Sequence, residues 1–186
     1  MIHNKSLKKF YFIENFNKSH IKNLDKDINI IYRNYKENYS ESKILELKKF
    51  CKKVKKKLFL ANNINLTIKL KLDGVYIPSF NKDISVCKLR NRGIQIMGSA
   101  HNLKEINEKK KQGVQTIFLS PLFKVSKSYN FLGISKFNTL ANIFNGDVVA
   151  LGGIKKNNIQ KLKLLNCFGL ASITYIKENI KMKKHE

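Results

Sequence analysis

Apolar residues in this chain gather into short runs separated by polar, lysine-rich stretches, and the runs recur along nearly its whole length. They are "FYFIE" (10–14), "INIIYR" (28–33), "LFLA" (58–61), "GVYI" (74–77), "IQIMGSA" (94–100), "TIFLS" (116–120), "DVVALG" (147–152) and "GLASIT" (169–174). Continuous apolar runs of this length predict strands buried on both faces. The stretches between them carry helical spacing instead. "SESKILELKKFCKKVKKK" sets Ile44, Leu45, Leu47, Phe50, Cys51 and Val54 on one face behind a cap at Ser40 or Ser42. "NLKEINEKKKQG" opens on an Asn cap and closes at Gly113, and "KKNNIQKLKLLNCFG" turns Ile159, Leu162, Leu165 and Cys167 toward a core.

Buried strands alternating with helices imply parallel pairing through right-handed βα units. Eight such units define an α/β fold, a closed (β/α)8 TIM barrel, with an open doubly wound sheet as the alternative. At 186 residues the chain is short for a barrel, and the connections after the first and third strands are cramped, so the helices must be shortened. No linker, repeat or low-complexity block divides it, and residues 1–186 read as one domain.

The composition narrows the function classes. A hydrophobic content of 42% argues for a packed core, and no apolar run approaches the roughly 20 residues of a membrane span. The N-terminus lacks a secretory signal, so a cytoplasmic protein is expected. Cys51, Cys87 and Cys167 have neither disulfide nor zinc spacing and read as buried reduced thiols. A net charge of +24 suggests nucleic acid, but Arg33, Arg90 and Arg92 are the only arginines among 37 basic residues. The lysine runs, densest at 48–57 and at the C-terminus, therefore read as solvent-facing, and the cationic surface as an attractor of phosphorylated small molecules.

In a barrel the ligand sits at the C-terminal ends of the strands. Those ends carry Arg33 and Lys36, Ala61 to Asn63, Pro78 to Asn81, Ser99 to His101, Ser120-Pro121, Gly152-Gly153, and Thr174 with Ile176. Small polar groups, a few cations and glycine amides suit an anionic, phosphate-bearing ligand. Each residue also has a structural reading. Gly152-Gly153 can serve only as a strand-to-helix turn, His101 as a helix-start cap, Asn62 and Asn81 as turn residues, and Lys36 as one solvated lysine among many. Asp73, before the fourth strand, lies at the opposite end and reads as structural.

The order "DGVYI", "GSAHNLKE", "LSPLF", "ALGGI", "GLASITYI" resembles the thiamine-phosphate synthase / TenI family, from about Tyr11 to Lys177. The resemblance implies a barrel that couples a hydroxymethylpyrimidine diphosphate to a thiazole phosphate with release of pyrophosphate. It implies that Arg33 and, after a one-residue insertion, Lys36 hold the diphosphate. It further implies that Ser99, with His101 nearby, contacts the pyrimidine, and that Gly152, Gly153, Ile173 and Thr174 bind the thiazole phosphate. The family's two Mg2+ aspartates align with Asn62 and Asn81, neutral amides that bind Mg2+ far more weakly. Its strand-two Gln aligns with Ile31, its strand-four His with Tyr76 and the following Gly-Gln with Pro78-Ser79, while Lys127 in "KVSKS" offers a replacement cation. Three functions follow from this reading. They are a synthase, a TenI-like thiazole-phosphate binder or tautomerase without synthase activity, and a basic nucleic-acid-binding protein. Oligomeric state stays open, with a homo-oligomer among the options.

Overall fold

The computed structural model describes residues 7–35, 39–126 and 129–182. Lys36 and Lys127 lie outside these residues. The strands are β1 (Lys8–Ile13), β2 (Ile28–Tyr32), β3 (Leu58–Ala61), β4 (Gly74–Ile77), β5 (Gln95–Ala100), β6 (Thr116–Leu119), β7 (Asp147–Leu151) and β8 (Gly169–Ala171). They form a closed barrel in sequence order, and β8 pairs parallel with β1. Among the described residues six α-helices connect or follow them, α1 (Lys18–Lys22), α2 (Glu41–Lys53), α3 (Ile64–Lys69), α4 (Leu103–Lys111), α5 (Gly133–Ile143) and α6 (Ile173–Met182), with a 3-10 helix (Ile84–Arg92) between β4 and β5. The cramped connections after β1 and β3 hold α1 of 5 residues and α3 of 6, as the short spacing requires.

Each strand is buried on both faces because successive side chains alternate between barrel interior and helix layer. Phe10 and Phe12 of β1 point inward with Phe59, Tyr76, Met97 and Phe118, while Tyr11 and Ile13 join the outer core beneath the helices. Phe118 stands at the centre of the interior, its ring 5.2 Å from Phe10, 5.9 Å from Phe12 and 5.4 Å from Tyr76, all edge-on. Edge-to-face contact puts the positive rim of one ring against the negative face of the next, so the packed interior is a floor, not a pore. At the N-terminal end, Asp73 Oδ2 accepts the Leu58 N–H at 2.9 Å, the structural role its position suggested.

Five expectations are corrected. The run 169–174 stops being strand at Ala171; Ile173 and Thr174 open α6, and Ile176 is buried in the core instead of standing at the rim. The segment after β7 forms a 3-10 helix (Ile159–Leu164) in which Leu162 alone is buried. Its apolar residues at 159, 162 and 165 recur every third position, the repeat of a 3-10 helix. On α2, Ile44, Leu47 and Cys51 are buried whereas Leu45 is exposed. The expectation of buried thiols is met at Cys51 alone, since Cys87 and Cys167 are half-buried. Finally, the lysines are not all solvent-facing: Lys56 and Lys109 are buried, and Lys56 Nζ donates to the Asp25 and Ile28 carbonyls.

Because Phe118 joins three ring contacts at full burial, Phe118→Ala should lower unfolding stability by about 3–5 kcal/mol, read by urea denaturation.

Candidate active site

The C-terminal rim of the barrel has two chemically distinct ends. One is built on β2, β4 and β5. Arg33 leaves β2 with its N–H bound to the Ile13 carbonyl at 2.8 Å, and its guanidinium carbon lies 4.6 Å from the centroid of Phe12. Phe12 is an interior residue, so Arg33 reaches over the mouth and its charge rests on the aromatic floor. Tyr76 lies against Phe12 at 5.2 Å, with the buried Ser99 beside it. Burial pushes the Tyr76 phenol above its usual range, and the Ser99 hydroxyl and the Arg33 charge pull it back. Arg33, Tyr76 and Ser99 are thus brought together: one fixed cation beside two hydroxyls. Above them the exposed rings of Tyr35 and Phe80 meet edge-on at 5.6 Å, bridging the loops after β2 and β4.

The other end is built on β7 and β8. Gly152 and Gly153 have φ of +93° and +71°, a region that L side chains rarely enter. A Cβ on Gly152 would sit 2.8 Å from Pro121 Cα, and one on Gly153 would sit 2.6 Å from the Phe123 carbonyl oxygen. The close approach that the glycine pair permits is therefore first of all to the chain's own β6 loop. That loop is tied on by Leu122 N–H to the Leu151 carbonyl at 2.8 Å and Phe123 N–H to that of Gly152 at 3.1 Å. Asn158 Nδ2 donates to the Gly153 carbonyl at 2.8 Å, and the Ser172 hydroxyl donates to that of Ile154 at 2.8 Å while capping the Tyr175 N–H at 3.1 Å. Asn158 closes the turn from the other side, its Oδ1 accepting the Lys155 N–H at 2.8 Å. α6 begins beside it at the exposed Ile173 and Thr174, and its first-turn N–H groups have no partner within the helix.

Arg33 and Gly153 both follow C-terminal ends of parallel strands, so they share one mouth. β2 and β7 are three strand spacings apart around the closed sheet, roughly 14 Å of rim. His101, at the end of β5, is tied to α4. Its Nδ1 is 2.8 Å from Glu105 Oε2, and the same oxygen accepts its backbone N–H at 2.8 Å, which is helix-start capping. A small hollow lined by Lys9, Asp25, Tyr175 and Asn179 lies toward the start of β1, away from the rim.

The Asn62/Asn81 corner does not fit Mg2+. Asn81 Nδ2 donates to Asn62 Oδ1 at 2.7 Å, and Asn81 Oδ1 accepts the Asp83 N–H at 2.8 Å. The Asp83 carboxylate caps Ser85, taking its N–H at 2.9 Å and its hydroxyl at 2.8 Å. The oxygens a metal would need are engaged and the two amides are neutral. Among the described residues no group of three or more His, Cys, Asp and Glu is placed to hold a metal ion.

Two features of the rim had no part in the sequence reading. The Tyr35–Phe80 pair joins residues far apart in the chain, and nothing local signals it. Lys109 does have a signal: it lies three residues after the buried Ile106 on α4 and so shares its core-facing side. Burial pushes the Lys109 amine down to about 8, with Glu108 and Glu105 opposing, so it keeps its proton at neutral pH.

Parallel strands closed into a ring, with polar groups gathered at one rim above a packed interior, place this chain in the (β/α)8 barrel class. The family profile of thiamine monophosphate synthase matches residues 23–176, and the chain belongs to that family. It is 30% identical over 142 residues to a thiamine-phosphate synthase of Prochlorococcus marinus subsp. pastoris, covering 73% of this chain but 40% of that relative's length. A thiamine-phosphate synthase of Clostridium tetani is 25% identical over 153 residues, covering 77% of this chain and 73% of its own. Among solved structures, thiamine phosphate pyrophosphorylase from Pyrococcus furiosus superposes with a TM-score of 0.73 at 17% identity, over 96% of this chain and 94% of that one. That likeness concerns the fold.

Gly153→Ala should cost at least about 1 kcal/mol from left-handed strain, with more from the clash at Phe123, measured as a fall in Tm.

Proposed function

We propose that the chain is a thiamine-phosphate synthase, coupling a hydroxymethylpyrimidine diphosphate to a thiazole phosphate in the cytoplasm. The observation that carries this reading is the two-ended mouth: Arg33, Tyr76 and Ser99 at one end, the Gly153 corner and the start of α6 at the other. A diphosphate at the first end meets the Arg33 charge. The thiazole phosphate takes the amide corner. In the reaction the bond from the pyrimidine methylene carbon to the diphosphate oxygen breaks and its electron pair leaves with pyrophosphate. The thiazole nitrogen lone pair then forms the new carbon–nitrogen bond. Charge develops on the departing oxygens, where Arg33 is held on Phe12 and needs no reorganisation. Ser99 and Tyr76 orient the pyrimidine, and the aromatic floor excludes water from beneath the cationic carbon.

The engaged amides of Asn62 and Asn81 favour a second reading, a TenI-like protein that binds the thiazole phosphate without turning over a diphosphate. A histidine-dependent tautomerase is less well supported, since the loop after β6, "LSPLFKVSKS", contains no histidine and His101 is tied to Glu105. Purified protein given both precursors with Mg2+ should form thiamine phosphate, detected by mass spectrometry. Arg33→Met should cut the rate about a hundredfold by removing the charge-assisted contacts to the leaving group. No product with either Mg2+ or Mn2+, together with thermal stabilisation by the thiazole phosphate alone, would select the second reading.

A further inference from the structure

We propose that the β3–β4 corner of the mouth is an internally charged clasp in place of a metal site, and that Lys109 is the positioning residue that holds it and repels divalent cations. This deepens the reading of the mouth as a synthase-family site and rests on it for the comparison with the family's aspartates. Lys109 reaches the corner from behind. Its stem crosses β5 at Gly98, where a Cβ would stand 3.0 Å from Lys109 Cδ, so a residue with any side chain there would have to displace it. The fully buried Nζ then donates to the carbonyls of Pro78 and Asn81 and to Gln112 Oε1, each at 2.8 Å. Three acceptors match the three N–H groups of an ammonium, whereas a neutral amine offers two. Gln112 Nε2 completes the cradle by donating to the carbonyls of Asn81 and Asp83, each at 3.0 Å.

These bonds fix the loop that carries Asn81, and Asn81 in turn grips Asn62 at 2.7 Å. Asn62 is set by its own N–H to the Tyr76 carbonyl at 2.8 Å and by φ +57°, which Asn tolerates better than most residues. A divalent ion at the two amide oxygens would have to break the clasp. It would also stand on the residue whose own carbonyl holds a buried ammonium, and the two like charges repel.

The test is a titration with Mn2+ alone, followed by electron paramagnetic resonance as a stand-in for Mg2+. The unmodified chain should show no site tighter than about 1 mM. The double variant Asn62→Asp/Asn81→Asp should gain a site about tenfold tighter or better, because it supplies two anionic oxygens. Adding Lys109→Met should tighten that site by roughly threefold or more through loss of the nearby charge. Lys109→Gln, which keeps donors to the carbonyls without the charge, should do the same and serves if the Met variant fails to fold. A Mn2+ site in the unmodified chain below about 100 µM, or unchanged affinity on removing the Lys109 charge, overturns the proposal. The first of these results would leave the synthase reading intact. Failure of the coupling assay would reject that reading and leave these titrations to decide the clasp.

Discussion

The closure of eight parallel strands around a packed aromatic interior is the constraint on which everything else depends. Phe10, Phe12, Phe59, Tyr76 and Phe118 fill the space inside the sheet, so no ligand can pass through it. Helices cover the outside. What remains for chemistry is the rim, and parallel pairing puts all eight C-terminal strand ends on one side of it. Residues scattered from 33 to 174 thereby face a common mouth.

That rim is polarised by how each end is anchored. Arg33 rests on the face of Phe12, a member of the floor itself, so this cation at the mouth is held by the same packing that closes the barrel. At the other end the glycines fold the chain tightly against the β6 loop, side chains and N–H groups of the chain occupy the carbonyls, and α6 begins beside them with the N–H dipoles of its first turn. A fixed charge and a nest of dipoles differ in what they select: the first favours total negative charge, the second the shape of one phosphate group.

Within the first end, the corner at Asn62 and Asn81 shows how a buried charge can be used structurally. Lys109 is desolvated, yet its ammonium is fully hydrogen-bonded, which offsets much of the penalty of burial. The positive charge thus sits behind the loop instead of in front of it. The same economy appears at the other end of the barrel, where Lys56 ties the carbonyls of Asp25 and Ile28 at the entry to β2.

The architecture was legible because apolar runs and helical spacing are local properties of the chain. Seven of the eight runs end within two residues of the strands they predicted, and the short helices after β1 and β3 followed from spacing alone. The strand-end candidates Arg33, Ser99 and Gly152-Gly153 were legible for the same reason, as residues directly following or closing buried runs. Tertiary structure alone decided what each of them touches. The hydrogen bond from Asn81 to Asn62, the partner loop against which Gly153 packs, and the three acceptors of Lys109 join residues distant in sequence. Composition marks a lysine as solvent-facing on average. Only the fold determines that this one has a glycine to cross and three oxygens to meet.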